Sequence, residues 1–185
     1  MRADFLLTGI SQLVTCDPAL GEGPLGVVER AAVAAAGGRV VFAGPQAAMG
    51  DLEVAAGAVR VDAVGQAVVP GFVDAHTHLV FAGDRADEFA ARLRGVGYEE
   101  ALAAGGGINR TVRETRAASD AELEAAAGRR LALAARHGTT TLEAKSGYGL
   151  TVDDERRCLA VLASLAALVS RTVRLMPPPA ARACS

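Results

Sequence analysis

The feature that most constrains the fold is an almost continuously apolar run at residues 67–75, which leads directly into His76-Thr77-His78. A strand that is apolar at nearly every position is predicted to be buried on both faces, as parallel strands of α/β domains are. Parallel strands need long crossover connections, which are usually helices. The run therefore predicts an α/β domain that begins near residue 67.

The residues after this run alternate between helical and strand patterns. Ser119 is followed three residues later by Glu122, a capping box that predicts the start of a helix closing near residue 137. Strands that alternate with helices indicate βαβ units, which form a barrel or an open parallel sheet. Further helices are predicted over 85–104 and 152–168, and further strands over 139–144 and 171–176.

Residues 1–66 have a different character, with short β-branched and apolar segments separated by turn residues. Strands are predicted around 5–15 and 39–43, and Gly37-Gly38 is predicted to form a tight turn. These strands are too few to close a β-sandwich alone, so we expect them to need strands from elsewhere.

Composition excludes several classes of protein. Hydrophobic residues make up 51% of the 185 residues and charged residues 22%, which rules out a disordered chain. The net charge of −2 shows no basic excess, so nucleic acid and anionic membranes are not expected partners. No apolar run reaches the ~18 residues of a membrane helix, and no signal-peptide pattern is evident. A cytoplasmic location is therefore expected.

His76 and His78 are the strongest local signal for chemistry. Residues i and i+2 of a strand point to the same face, so the two imidazoles should project together at the end of the strand. Neutral imidazoles suit zinc or iron, but a bare His-x-His pattern also recurs by chance. Zinc takes about four ligands, so this pair is only part of a site. His137, the one other histidine in the sequence, is expected to be a helix-end or surface group.

Several motifs in order resemble imidazolonepropionases, a family of the amidohydrolase superfamily. The resemblance covers about residues 1–175 and is most specific between 69 and 150. It implies a partial (β/α)8 TIM-type barrel, preceded by a small N-terminal β-sandwich segment. The motifs are Val-Pro-Gly-Phe-Val-Asp-Ala-His-Thr-His at 69–78, residues 80–85 with 88–89, Gly-Tyr at 97–98, Gly-Gly-Gly-Ile at 105–108, and Gly-Thr-Thr-Thr-Leu-Glu-Ala-Lys-Ser-Gly-Tyr-Gly-Leu at 138–150.

The resemblance also implies a reaction and a set of site residues. The family opens the ring of 4-imidazolone-5-propanoate to N-formimidoyl-L-glutamate in histidine degradation, with one zinc or iron ion. His76 and His78 match metal ligands, Arg85 matches an arginine that binds the substrate propionate, and Tyr148 matches a tyrosine that contacts the substrate. Tyr98 is a weaker match to another pocket tyrosine. The alternatives are structural: Arg85 in an ion pair with a neighbouring acid, and Tyr148 packed in a turn.

The sequence also departs from the family. The family's substrate histidine, third ligand histidine, catalytic glutamate and late ligand aspartate have no counterpart, so no catalytic residue is assigned to this chain. Lys145 is interpreted as a supporting or structural group. The predicted organisation is a β segment at 1–66, the first barrel units at 67–176 and an aberrant tail at 177–185.

A barrel needs about 250 residues, so the chain is expected to be a truncated and inactive form. The alternatives are a non-catalytic fragment or remnant, and another amidohydrolase such as a nucleobase deaminase. A homodimer is implied by the resemblance alone.

Overall fold

A computed structural model of the chain describes residues 2–103 and 105–172. These residues divide after Gly71 into two compact units, 2–71 and 72–172. The sequence placed this boundary after residue 66. The difference arises because Ala67–Val68 pairs with the first strand of the chain and so stays with the first unit.

The first unit is built on one mixed sheet. Its strands β1 to β5 are Ala3–Val14, Val27–Ala36, Arg39–Pro45, Val54–Asp62 and Ala67–Val68. The sheet has the order β3-β2-β1-β4, with β5 also beside β1. Strands β1, β2 and β3 pair antiparallel, whereas β4 and β5 run parallel to β1.

The turn between β2 and β3 is the one that the sequence predicts. Gly37 and Gly38 have φ of 55° and 74°, the left-handed values that a tight hairpin turn of this kind requires. The Gly37 N–H donates to Oδ2 of Asp4 at 2.7 Å, which ties the turn to β1. The apolar core lies along β1 and β2 and includes Ile10 and Val28. A second sheet layer, which the predicted sandwich needs, stays a prediction.

The second unit contains two strands and five helices among its described residues. Strands β6 and β7 are Phe72–His78 and Thr139–Lys145, and helices α1 to α5 are Ala86–Leu93, Tyr98–Ala103, Ile108–Ala117, Asp120–Arg136 and Val152–Thr172. β6 and β7 are parallel, and their register places His78 beside Lys145. This is the pairing that the predicted βαβ pattern requires. Closure into a barrel stays a prediction.

The apolar run at 67–75 is not one strand and is not buried. Its first residues form β5, Pro70 and Gly71 lie between the strands, and its last residues form β6. Phe72 and Val73 are 58% and 60% exposed. The expectation of burial on both faces is therefore wrong for this part of the chain, because among the described residues β6 pairs with β7 alone.

Two other predicted elements differ. The helix predicted over 85–104 is two shorter helices, α1 and α2, because the chain turns at Gly95, whose φ is 94°. The strand predicted over 171–176 is wrong at its first two residues, which end α5. The rest of that strand and the predicted tail at 177–185 lie outside the described residues.

The core of the second unit joins the segment after β6 to α4 and α5. Val80 and Leu123 are fully buried, and Cys158 of α5 is buried beside them as a free thiol. Helix α4 begins with the predicted capping box, in which Ser119 and Glu122 exchange hydrogen bonds. This packing anchors the chain immediately after His78. Within the part of the chain that the structure describes, every helix is too short or too polar to cross a bilayer.

Candidate active site at the end of strand β6

The two imidazoles lie side by side at the carboxyl end of β6. The ring centroids of His76 and His78 are 5.4 Å apart, with an edge contact at 64°. His76 is exposed and His78 is half-buried. The i and i+2 spacing thus brings two nitrogen-donor side chains together, as the sequence predicts.

His78 also lies against the loop that follows β7. Its Nδ1 atom is buried and has no hydrogen-bond partner among the described residues. A Cβ atom added to Gly147 would lie 2.6 Å from Cε1 and 2.9 Å from Nδ1 of His78, so the loop approaches the imidazole at a distance that only glycine allows. A buried polar atom without a partner is a position that a ligand can satisfy.

Tyr148 completes a chain of ring contacts. Its ring centroid is 5.4 Å from that of His78 and 5.0 Å from that of Phe81. The sequence placed Tyr148 in the site by resemblance, and the structure brings it into contact with one of the two histidines. Phe81 was not identified from the sequence, although it lies within a motif that carries the resemblance.

The loop that carries Tyr148 is held by an acidic side chain of α5. Oε1 of Glu155 accepts hydrogen bonds from the backbone N–H groups of Gly149 at 2.9 Å and Leu150 at 2.7 Å. Burial alone would raise the pKa of Glu155, but hydrogen bonding to the Ser146 hydroxyl and to loop backbone N–H groups lowers the pKa below its usual value. The other carboxylate oxygen, Oε2, is buried and has no partner that meets normal hydrogen-bond geometry within residues 2–103 and 105–172.

Arg130 of α4 holds the segment that follows β6. Its Nη1 donates to the carbonyl oxygens of Leu79 at 3.1 Å and Phe81 at 2.7 Å, and its Nη2 donates to Gly83 at 3.0 Å. The guanidinium carbon lies 3.4 Å from the centroid of the Phe81 ring, a cation–π contact. Burial lowers the pKa of Arg130, yet a guanidinium stays charged in proteins.

Neither Arg130 nor Glu155 was identified as a site residue from the sequence. The one available signal for Arg130 was an arginine among the periodic positions of an otherwise apolar helix face. Glu155 lies among three consecutive acids in the first turn of α5, and nothing in that run distinguishes it from its neighbours.

No hydrogen bond, ion pair or cation–π contact joins Arg85 to the rings of His76, His78 and Tyr148 within the described residues. Arg85 is exposed and immediately precedes α1, and within the described residues its guanidinium makes no ion pair. The nearby acids Asp87 and Glu88 lie 2.7 Å and 3.8 Å from Arg110 instead. The structural alternative for Arg85, an ion pair with a neighbouring acid, is therefore not what the structure shows. Tyr98 begins α2, and its side chain lies outside the described part of the structure.

Lys145 is paired with an acidic residue of its own strand. Its ammonium group forms a close ion pair with Glu143, two residues earlier on β7. The hydrogen bond from Lys145 and its positive charge lower the pKa of Glu143. The pair therefore adds little net charge beside the imidazoles.

The histidine pair fits part of a metal site. Across residues 2–103 and 105–172, no group of three or more histidine, cysteine, aspartate or glutamate side chains converges on a point that could hold an ion. His76 and His78 supply two neutral nitrogen donors, and a zinc site with open positions needs about three protein ligands. The described residues thus provide the beginning of a coordination sphere.

The sequence of the chain is similar to those of known imidazolonepropionases. No family model matches the chain. The imidazolonepropionase of Streptomyces coelicolor is 54% identical over 164 residues, which is 88% of this chain and 39% of the relative. The imidazolonepropionase of Mycolicibacterium smegmatis is 51% identical over 160 residues, 86% of this chain and 38% of the relative. The chain thus spans about two-fifths of the length of these curated relatives.

Among solved structures, A. niger ochratoxinase matches with a TM-score of 0.50 and 18% identity, over 97% of this chain and 30% of that one. At this identity the likeness shows the fold alone. It agrees with a mixed α/β architecture.

Proposed function

The chain is homologous to the N-terminal part of imidazolonepropionases, and on this premise we propose that it carries the first portion of an active site that hydrolyses 4-imidazolone-5-propanoate. The reaction opens a cyclic amide to give N-formimidoyl-L-glutamate in histidine degradation. One observation carries the proposal: His76, His78 and Tyr148 form a continuous chain of ring contacts at the carboxyl end of β6.

In this proposal His76 and His78 hold one zinc or iron ion. Two adjacent neutral imidazoles and the unpartnered Nδ1 of His78 support the assignment. A metal ion bound there supplies a Lewis acid that polarises the ring carbonyl and lowers the pKa of a water molecule. Among the described residues, no third histidine, cysteine, aspartate or glutamate converges with this pair.

Arg85 and Tyr148 are proposed to bind the substrate. A guanidinium binds a carboxylate through two parallel hydrogen bonds, so Arg85 would hold the propionate and orient the ring. Its lack of an ion pair within the described residues leaves its donors available. Tyr148 presents a flat ring and a hydroxyl, which suit an aromatic-like substrate with polar edges. Tyr98 is a weaker candidate for the same pocket.

The same premise supports finer expectations for the whole protein. They are a (β/α)8 barrel with a β-sandwich, a division of this chain into a β segment and the first barrel units, a cytoplasmic location and a homodimer without nucleic-acid or membrane partners. The expected partner is the small-molecule substrate.

Metal binding provides the first test. Zn²⁺ titrated into the chain, followed by calorimetry, should bind weakly, because two imidazoles are an incomplete ligand set. His76→Gln and His78→Gln should each abolish this binding. His137→Gln is the matched control, since His137 is exposed at the end of α4. Loss of binding in the His137 variant, with binding retained in the other two, would contradict the assignment.

Turnover provides the second test. A chimaera that joins this chain to the C-terminal part of the Streptomyces coelicolor relative should hydrolyse the imidazolone, whereas the chain alone should not. Arg85→Ala should lower kcat/KM by roughly 10–100-fold, mainly through KM, because a charge-assisted carboxylate contact is lost. Arg94→Ala removes a similarly exposed arginine near the other end of α1 and should leave turnover unchanged. Equal kinetics for both variants would remove Arg85 from the pocket.

A further inference from the structure

The loop between β7 and α5 adopts backbone dihedral angles that its residues do not favour by themselves. Gly147 has φ of 149°, and Leu150 has φ of 58°, which is unfavourable for a side chain of that size. Leu150 is also exposed, so burial of its side chain does not compensate for the strain. Strained backbone persists only where surrounding contacts over-determine it.

The carboxylate of Glu155 supplies those contacts from one side. Oε1 accepts from two successive backbone N–H groups, those of Gly149 and Leu150, at 2.9 Å and 2.7 Å. Successive N–H groups that point to one spot form a concave site for negative charge. In this protein the charge that occupies the site comes from the first turn of α5.

A second contact holds the same residue from the other direction. Nε of Arg116 donates to the carbonyl oxygen of Gly149 at 2.7 Å and lies 3.2 Å from Oδ2 of Asp154. Gly149 is buried, and a Cβ atom there would lie 2.7 Å from the backbone nitrogen of Glu155. The N–H of Gly149 is therefore held by Glu155 of α5, and its carbonyl is held by Arg116 of α3.

Fixing Gly149 fixes the two residues before it. The ring of Tyr148 contacts those of His78 and Phe81, and Gly147 approaches the Cε1–Nδ1 edge of the His78 ring. We propose that Glu155 is a positioning residue, which holds the loop so that Tyr148 and His78 keep their mutual geometry. Its meaning for catalysis rests on the proposed function, but the positioning itself does not.

The ordinary alternative is that the negative charge of Glu155 only interacts favourably with the positive, N-terminal end of α5. Asp153 and Asp154 lie in the same first turn and have the same charge. Asp153 is exposed, and its side chain makes no hydrogen bond or ion pair within the described residues. Asp153→Asn is therefore a matched control, which removes one charge from the same turn and leaves the loop contacts in place.

The test uses NMR of the histidine rings in the whole chain. The Cε1–H signal of His78 lies within the ring current of Tyr148, and His76→Gln, His78→Gln and His137→Gln variants assign the signals of the three histidines. Glu155→Ala should lose the Tyr148-dependent shift of His78. Glu155→Gln, which keeps an acceptor oxygen but no charge, should lose part of it, and Asp153→Asn should retain it.

Two outcomes overturn the proposal. One is a folded Glu155→Ala protein, with wild-type helical circular dichroism, whose His78 signal is unchanged. The other is a shift in Asp153→Asn as large as that in Glu155→Gln, a comparison that still decides the matter if Glu155→Ala fails to fold.

A kinetic arm separates this proposal from the proposed function. In the chimaera with the Streptomyces coelicolor relative, Glu155→Gln should lower kcat by about tenfold or more, since misplaced groups lose rate. If the chimaera does not turn over the imidazolone at all, the proposed function fails while the NMR comparison still decides the positioning. If turnover is normal in Glu155→Gln despite a displaced His78 signal, the positioning has no catalytic role.

Discussion

Replacing Arg130 by methionine should be the most destabilising single change near the site. The guanidinium donates to three carbonyl groups in the segment after β6 and stacks on Phe81. Methionine keeps much of the aliphatic length of the side chain but donates no hydrogen bonds. The change therefore isolates the polar contacts that fix this segment.

The magnitude follows from the burial of each contact. The two bonds from Nη1 are partly buried, and a hydrogen bond to a charged group contributes about 1.5–3 kcal/mol. The low end applies here, because the freed carbonyls regain some water. The bond to Gly83 is exposed and adds little. With about 0.5 kcal/mol for the cation–π contact, the free energy of unfolding should fall by about 3–4 kcal/mol.

Urea unfolding followed by circular dichroism measures this effect. With a slope of about 2 kcal/mol/M, the midpoint should fall by roughly 1.5–2 M. Arg129→Met is the matched control, because Arg129 is the exposed neighbour on the same helix and should change stability by less than about 0.5 kcal/mol. Arg130→Lys should lie between the two, since lysine lacks the planar fork. Equal midpoints for the Arg130 and Arg129 methionine variants would refute the reasoning.

Three further changes test the local structure. Ser119→Ala removes the cap of α4 and should cost about 1 kcal/mol in urea unfolding, whereas Ser119→Asp should restore it; no loss in the alanine variant would contradict the capping role. Gly147→Ala places a Cβ atom 2.6 Å from His78 and should cost about 1–3 kcal/mol while shifting the His78 NMR signal; an unchanged signal would show that the loop is not in contact. Because the folded-state pKa of Glu155 is lowered, its contribution to stability is complete above about pH 4.3 and is lost as the pH falls through that lower pKa; Glu155→Gln should flatten this acid dependence, and parallel pH profiles for the two proteins would oppose it.

Local signals predicted the elements whose causes are local. The capping box at Ser119 predicted the start of α4, and Gly37-Gly38 predicted the hairpin turn, because both depend on bonds and dihedral angles within a few residues. The i and i+2 spacing of His76 and His78 predicted their adjacency for the same reason.

Burial was predicted less well, because it depends on what else is present. The composition of residues 67–75 indicated a strand covered on both faces. Apolar composition shows that burial would be favourable, but it does not show which strands and helices are there to cover the strand. β6 pairs with β7 alone within the described residues, so Phe72 and Val73 lie exposed. Pro70 and Gly71 divide the run between two units, a division that apolar content does not reveal.

The sequence by itself thus determined the capping box of α4, the hairpin turn at Gly37-Gly38, the adjacency of the two histidines and the homology to imidazolonepropionases. Only the tertiary structure decided which distant side chains support the histidines. Arg130 lies about fifty residues from the carbonyls it holds, and Glu155 comes from a helix that also offers Asp153 and Asp154. Such contacts depend on how separate elements pack, and charge and spacing along the chain are the same whether or not a side chain reaches its partner.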